Sequence, residues 1–269
     1  MSIMIPKKVA DRIAVFSKKY IKVLEGAVKN DISESDTVLI IRDMLDEIFG
    51  YDRFNEITTE FAIRNIYCDV AIKIDGIPRY IIEVKSVGTK LNENHIRQAA
   101  EYCTKTNLDY AILTNGPLWK VYNILYKRPI KIELLFEIDW MKENRKDQGF
   151  YERVFCLCKE GIAKTALSQY QEEKQATNKY ILGAIILGDQ VLKEIRKEVK
   201  RFSNFSISID ELRPIIREEV LKREIIEGDE VSGAIKKYKS LHAKEEKQKS
   251  DIPIEKLTQS DNASPEESL

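Results

Sequence analysis

The chain has 269 residues, enough for one large core or for a catalytic domain with a helical appendage. Its 43% hydrophobic and 33% charged residues are typical of a soluble globular protein, and no apolar run approaches the ~20 residues of a membrane helix. Basic and acidic side chains number 44 each. This balance excludes a protein whose whole surface is basic and binds nucleic acid, but it permits a local basic face around an acidic pocket. The first residues lack a secretory signal pattern, so we expect a cytoplasmic location.

Apolar residues at three- and four-residue steps predict an amphipathic helix over residues 7–29. A second helix follows and stops near Gly50, and Ser33 and Asp36 have the spacing of a capping box at its start. From residue 56 the pattern changes to the alternation that is typical of strands. We predict strands over 57–63, 68–74, 79–85, 109–114, 119–125 and 130–138, with a helix over 92–106 between the third and the fourth.

Asp75-Gly76 and Asn115-Gly116 are predicted turns between strands. The order of elements predicts an α/β fold in which a mixed sheet is flanked by helices. We therefore assign residues 1–140 to a sheet-containing domain.

Strand patterns nearly vanish after residue 140, and residues 141–245 are predicted to form a helical region. In that region we expect Asp210 to cap a helix. Residues 193–201 alternate basic side chains with glutamates, which leaves open a phosphate-tracking surface, a solvated helix or an oligomer interface. The polar residues 246–269 are predicted to be a disordered tail.

The cysteines and histidines restrict the metal chemistry. Cys156 and Cys158 are one residue apart with no second close pair, so they do not have the spacing of a zinc ribbon or of thioredoxin. We expect free, mostly buried thiols at all four cysteines, Cys68, Cys103, Cys156 and Cys158. His95 and His242 are too few for a histidine-based site, so any metal should be a hard ion bound by oxygen.

Three charged residues of the hairpin over residues 68–85 carry the chemistry. Glu83 and Lys85 share one face of their strand, and a three-residue loop at 75–77 would place Asp69 directly opposite Glu83, with Cβ atoms ~4.5–5.5 Å apart. Two carboxylates that close repel each other unless a cation lies between them or one is protonated. Mg²⁺ fits best, with Mn²⁺ as an alternative, because it takes few carboxylates and keeps several waters. With Lys85 to neutralise charge and orient a water, this set can hydrolyse a phosphodiester.

A Glu-x-Lys sequence also occurs by chance in strands, and cross-strand pairs of lysine and carboxylate usually mark a solvated face. The neighbouring residues 70–72 and 80–82 are apolar on both faces, which indicates interior strands. Charges at the end of interior strands are costly, which favours the functional interpretation.

Gln98 and Tyr102 are four residues apart and lie on one face of the predicted helix. An amide and a hydroxyl there could bind a phosphate or order Lys85. The alternative is an ordinary polar edge of a helix.

Several short motifs follow one another over roughly residues 10–140: Ser33-Glu34-Ser35-Asp36-Thr37, Phe49-Gly50-Tyr51-Asp52, Glu60, Asp69, Glu83-Val84-Lys85, Gln98-x-x-x-Tyr102 and Leu113-Thr114-Asn115-Gly116. Their order and spacing resemble the N-terminal nuclease domain of type I restriction enzyme R subunits and their stand-alone relatives, a branch of the PD-(D/E)xK nucleases. The resemblance implies a restriction-endonuclease-like fold. It also implies that Asp69 and Glu83 bind Mg²⁺, that the Val84 carbonyl is a further metal ligand and that Lys85 is the catalytic lysine.

The resemblance extends to four residues outside the hairpin. Gln98 and Tyr102 match a Q-x-x-x-Y motif that supports DNA binding or positions the active site. Glu34 matches an acidic residue that can approach the metal, although the helix dipole favours an acid there in any case. Glu60 matches a common acid, and its alternative is exposure to solvent.

The chain departs from the family at Cys68, where a proline is usual, and it has no G-x-x-x-x-G-K-S/T motif of a nucleotide-driven motor. Our leading hypothesis is an Mg²⁺-dependent DNA endonuclease of a restriction or defence system. We expect DNA as partner, a methyltransferase or motor acting in trans, a homo-oligomer through the C-terminal helices, and no membrane. The alternatives are a non-catalytic module with the nuclease fold that binds nucleic acid or protein, and a structural helical partner protein.

Overall fold

The computed structural model describes residues 3–63, 66–126, 129–142, 144, 146–227 and 231–236. It divides into two compact units, Met1–Glu172 and Glu173–Leu269. The predicted tail and His242 lie outside the described residues. Within those residues, no helix is both long enough and apolar enough to cross a membrane.

A six-stranded sheet forms the centre of the first unit, with the strands in sequence order. Its strands are β1 (Ile57–Ile63), β2 (Ile66–Ile74), β3 (Ile77–Val84), β4 (Tyr110–Thr114), β5 (Leu118–Leu125) and β6 (Lys131–Asp139). Neighbouring strands are antiparallel except β3 and β4. Those two are parallel because a helix between them returns the chain to the end of the sheet at which β3 begins. The predicted mixed sheet flanked by helices is confirmed.

Helices cover both faces of the sheet. The helices of this unit are α1 (Lys7–Asn30), α2 (Glu34–Glu47), α3 (Glu93–Thr106), α4 (Gln148–Leu157) and α5 (Lys159–Ala163), and the boundary of the unit falls within α6 (Ala166–Ala176). Ile82 packs into the core that α1, α2 and α4 share, and the adjacent Ile81 packs into a second core beneath α3. Both side chains are fully buried, so β3 is the interior strand that its apolar sequence predicts.

The predicted cap of α2 is present: the Ser33 hydroxyl accepts a hydrogen bond from the Asp36 amide at 3.2 Å. All four cysteines are free and buried, as expected. Asn115-Gly116 forms the turn between β4 and β5, with Gly116 at φ 93°.

The turn of the β2–β3 hairpin is shorter than predicted. Ile74 pairs with Ile77, so the three-residue loop is wrong. Asp75 and Gly76 form a two-residue turn with φ angles of 53° and 74°. Positive φ at both positions is the geometry that Asp-Gly favours in tight hairpins.

A bulge next to this turn restores the predicted register at the other end of the hairpin. Lys73 pairs with Pro78 and Ile72 with Tyr80, so Arg79 is an extra residue on β3. Beyond the bulge the pairing continues toward the two acidic residues in the register that places them opposite each other.

The first unit extends beyond residue 140, where the predicted sheet-containing domain ends. Trp140 packs edge-on against Phe49 and Phe150, with ring centroids 6.2 and 5.7 Å away. The hydroxyls of Tyr51 and Tyr80 both donate to the Leu157 carbonyl, at 2.7 and 3.1 Å. The boundary at residue 140 was predicted because the strand pattern ends there. The aromatic contacts show that α4, which follows this boundary, packs in the same core as the sheet.

The second unit is helical, as predicted. It contains α7 (Lys179–Ile186), α8 (Asp189–Ser203), α9 (Ile209–Ile215), a π-helical turn (Ile216–Val220) and α10 (Arg223–Ile226). Ser208 caps α9 and forms a capping box with Glu211, so the predicted cap at Asp210 is wrong. Asp210 instead lies in the first turn, where a negative charge favours the helix dipole.

Candidate functional site

Asp69 of β2 and the C-terminal end of β3 meet the first turn of α2 at a group of charged side chains. The Lys85 ammonium lies 2.8 Å from Glu83 Oε1 and 3.6 Å from Glu34 Oε1. Asp69 Oδ2 accepts a hydrogen bond from the Val84 amide at 2.7 Å. The structure therefore brings together the acidic and basic side chains that the sequence singled out on the hairpin and on α2.

Glu83 is the most buried of these charged groups, with only 1% of its side chain exposed. Oε1 accepts the hydrogen bond from Lys85, but Oε2 is buried and has no hydrogen-bond partner among the described residues. Burial, assisted by repulsion from Asp69, raises the pKa of Glu83 to about 7 despite the hydrogen bond from Lys85. This carboxyl therefore changes its protonation state near neutral pH.

The other two hairpin residues have shifted pKa values as well. Burial raises the pKa of Asp69, and the Val84 amide and the Lys85 charge offset this only in part. Burial alone would lower the pKa of Lys85, but the hydrogen bond to Glu83 and the surrounding carboxylates outweigh it, so the pKa is raised. Lys85 therefore stays charged at neutral pH and acts as a hydrogen-bond donor.

The part of the chain that the structure describes contains no set of three or more His, Cys, Asp and Glu side chains arranged to hold a metal by themselves. A smaller oxygen set is present at the hairpin: the carboxylates of Asp69 and Glu83 and the backbone carbonyl of Val84. The buried Oε2 of Glu83 lacks the partner that a cation would supply. Because Mg²⁺ needs few protein ligands and keeps several waters, these residues fit that ion.

A pocket of about 340 Å³ lies beside Asp69. It is lined by Glu34, Ser35, Val38, Leu39, Arg42, Thr59, Glu60 and Asp69. Glu60 is exposed, as its alternative interpretation expected, but it also lines this pocket and has a positive φ of 50°. Sequence reasoning missed Arg42, whose seven-residue spacing from Ser35 places both on one helical face.

The structure gives different environments to Gln98 and Tyr102. Gln98 is exposed, whereas Tyr102 is buried with its hydroxyl beside the Cys68 thiol. Burial, with the charges of Asp69 and Glu83, raises the pKa of Cys68 to about 12. Tyr102 thus lies beside Cys68, the residue that precedes Asp69, and the functional roles of Gln98 and Tyr102 stay predictions.

The loop after Lys85 is held by the turn between β4 and β5. Asn115 Nδ2 donates to the Thr89 carbonyl at 2.9 Å, and its Oδ1 accepts from the Leu118 amide at 3.0 Å. The Lys85 amide donates to the Thr114 carbonyl at 2.8 Å. Asn115 therefore does more than form a turn, because it fixes the segment that carries Lys85.

Comparison with known families gives a match over this part of the chain. Residues 43–138 match the family described as type I restriction enzyme R protein N terminus. This segment, roughly a third of the chain, contains Asp69, Glu83 and Lys85, while Glu34 lies outside it. The match confirms the resemblance over that segment. No curated protein and no solved structure matches the chain.

Proposed function

Since residues 43–138 match the type I restriction enzyme R protein N-terminal family, we propose that the chain is an Mg²⁺-dependent nuclease that hydrolyses phosphodiester bonds of DNA. The observation that carries the proposal is Glu83, a buried carboxyl beside a second carboxylate and a lysine, with one oxygen that has no partner among the residues that the structure describes. A titratable group perturbed by burial and by specific charges is a common mark of a functional site. The proposal includes a role in a restriction or defence system and a cytoplasmic location, where the DNA substrate is found.

Asp69, Glu83 and the Val84 carbonyl would hold the ion, with Mn²⁺ as an alternative to Mg²⁺. When bound, the ion would polarise a phosphate oxygen and acidify a water molecule. Glu34, which lies 3.6 Å from Lys85, would hold the lysine rather than the ion in the arrangement seen here.

Lys85 is suited to electrostatic stabilisation. Its raised pKa keeps the ammonium charged at neutral pH, so it can donate to a phosphoryl oxygen on which negative charge develops. The same charge prevents it from accepting a proton from water. Glu83, whose pKa is about 7 without an ion, would give up its proton on binding the ion and would then act as a ligand.

Cleavage of supercoiled plasmid and of single-stranded DNA, with Mg²⁺ or Mn²⁺, tests the proposal. We expect Lys85→Ala to lower the cleavage rate by about 10²-fold or more, the usual effect of removing one preorganised donor from developing charge. Lys90→Ala is the matched control, because Lys90 is an exposed lysine on the loop that follows. A wild type that does not cut, or that cuts at the rate of Lys85→Ala, would contradict the proposal.

A further inference from the structure

The pocket beside Asp69 has two walls of different chemistry. One wall is α2, where Ser35, Val38, Leu39 and Arg42 share a face at positions i, i+3, i+4 and i+7 and Glu34 lies at the start of the helix. The other wall consists of Thr59 and Glu60 of the edge strand β1 and Asp69 of β2. Its volume of about 340 Å³ lies within the range of ~300–1,000 Å³ that is typical of small-ligand sites.

Arg42 brings a positive charge to this pocket. Its Nε is buried without a hydrogen-bond partner, and within the described parts of the chain no carboxylate forms an ion pair with its guanidinium. Arg53, by contrast, is paired with Asp43 of the same helix at 2.9 Å. A buried N–H group is normally satisfied, so the orphaned Nε indicates a missing acceptor. The planar guanidinium fits the oxygens of a phosphate or a carboxylate.

The apolar part of the pocket indicates what else the ligand contains. Val38 is partly buried, and Leu39 is 48% exposed on the same helical face as Arg42. The hydroxyls of Ser35 and Thr59 add small hydrogen-bonding groups beside them. A ligand with an anionic group for Arg42 and an adjoining sugar or base for the apolar residues fits the pocket, and a nucleotide unit has this composition.

We propose that this pocket binds the nucleotide next to the scissile bond, with Arg42 binding its phosphate and Val38 and Leu39 contacting its sugar or base. Asp69 belongs both to the pocket and to the proposed metal site, so a phosphate at Arg42 lies close to the reacting one along the same strand. The inference rests on the proposed function in one respect: it assumes that the phosphodiester bond next to this nucleotide is the one that is cut. Phosphate binding by Arg42 does not depend on cleavage.

The test measures DNA binding by the full chain, without cleavage, as a function of salt. Fluorescence anisotropy of a labelled oligonucleotide, single-stranded and duplex, is recorded with Ca²⁺ in place of Mg²⁺ over a series of salt concentrations. One lost phosphate contact lowers the slope of log K against log salt concentration by about 0.7 for single strands and about 0.9 for duplex. We expect Arg42→Ala to show this loss for every sequence tested, and Arg42→Lys to keep the slope.

Arg53→Ala is the matched control and should keep the wild-type slope, because Arg53, which follows α2, is already paired with Asp43 of that helix. Thermal unfolding in the same buffer shows whether Arg42→Ala is folded, and Arg42→Gln replaces it if it is not. An unchanged slope in Arg42→Ala, or in Arg42→Gln where that variant replaces it, would overturn the inference, as would a wild type that does not bind DNA. A wild type that binds with an Arg42-dependent slope but does not cut would overturn the nuclease proposal and leave this inference standing.

Discussion

At the scale of single residues, Glu83 links the proposed chemistry to the stability of the fold. Its pKa of about 7 in the folded chain exceeds the ordinary value of 4.5, so the folded state binds more protons than the unfolded state between these values. The contribution of Glu83 to stability is therefore lost as the pH rises from about 4.5 through about 7. A cation between Glu83 and Asp69 would remove this penalty, so ion binding and folding stability are coupled at one carboxyl.

The affinity for Mg²⁺ should depend on pH because Glu83 must lose its proton to bind the ion. We expect the association constant to fall by up to about tenfold per pH unit below pH 7 and to level off above pH 8, since one unit corresponds to about 1.4 kcal/mol. Isothermal titration calorimetry at pH 6, 7 and 8, in two buffers of different ionisation enthalpy, measures the affinity and the proton released.

Glu83→Gln should abolish the binding in this titration, and Glu101→Gln, at an exposed position on α3, should leave it unchanged. Mg²⁺ binding that does not vary with pH would show that Glu83 is not a ligand. Absence of binding together with intact DNA affinity would favour a non-catalytic module.

The sequence predicted the hairpin residues of the site but missed Arg42. Strand alternation and the apolar neighbours were enough to group Asp69, Glu83 and Lys85. Arg42 lies on a helix whose sequence pattern identifies only its apolar face. Its importance depends on the absence of a partner for Nε in the described part of the chain, and no local pattern shows whether a side chain is paired.

At the scale of elements, most strand and helix bounds follow from the pattern to within two residues. β1 was predicted at its observed bounds, and α3 to within one residue. The predicted length of the loop between β2 and β3 is wrong because Asp-Gly is compatible with loops of more than one length. The bulge that follows is not visible in the sequence, because one extra residue in a strand leaves no pattern of its own.

The segment between α2 and β1 shows how one arginine joins distant elements. The Arg12 guanidinium donates to the Ile48 carbonyl at 2.9 Å and binds both oxygens of Glu160 at 2.7 Å. Gly50 lies against it with φ 80°, and a Cβ there would come within 2.7 Å of Arg12 Nη1. This contact explains why the chain has glycine at the position where α2 was predicted to stop.

Gly50→Ala should therefore destabilise the fold by about 1–3 kcal/mol, from backbone strain and displacement of Arg12. Gly26→Ala is the matched control, because Gly26 lies within α1 and a Cβ there meets nothing within 4 Å. That change should stabilise the fold by up to about 1 kcal/mol through helix propensity. Urea unfolding measures both, and equal effects of the same sign would contradict the role of the Arg12 contact.

At the scale of the whole molecule, the first unit contains both hydrophobic cores and every residue of the candidate site. Sequence pattern placed a boundary at residue 140 because strands end there. It could not show that Trp140, Phe150 and Phe155 share one core with the sheet, since apolar residues on a helix do not reveal what they pack against.

A fragment of residues 1–177, which keeps α6 whole, should fold by itself. We expect one cooperative unfolding transition and the Mg²⁺ affinity of the full chain, because the proposed ligands and their supporting cores are all present. Near-ultraviolet circular dichroism during urea unfolding, with calorimetry on the same sample, measures both. A fragment without a cooperative transition would show that the second unit is needed for folding.

The extra residue on β3 also separates the hairpin turn from the chemistry. Arg79 has no partner on β2, so deleting it would remove the bulge while Ile72 stays paired with Tyr80, and the register that places Glu83 opposite Asp69 would persist. Residues at the Asp75-Gly76 turn lie on the other side of the bulge and are exposed. A short peptide tag or a fluorophore could therefore be attached at this turn to report on DNA binding without altering the alignment of the two carboxylates.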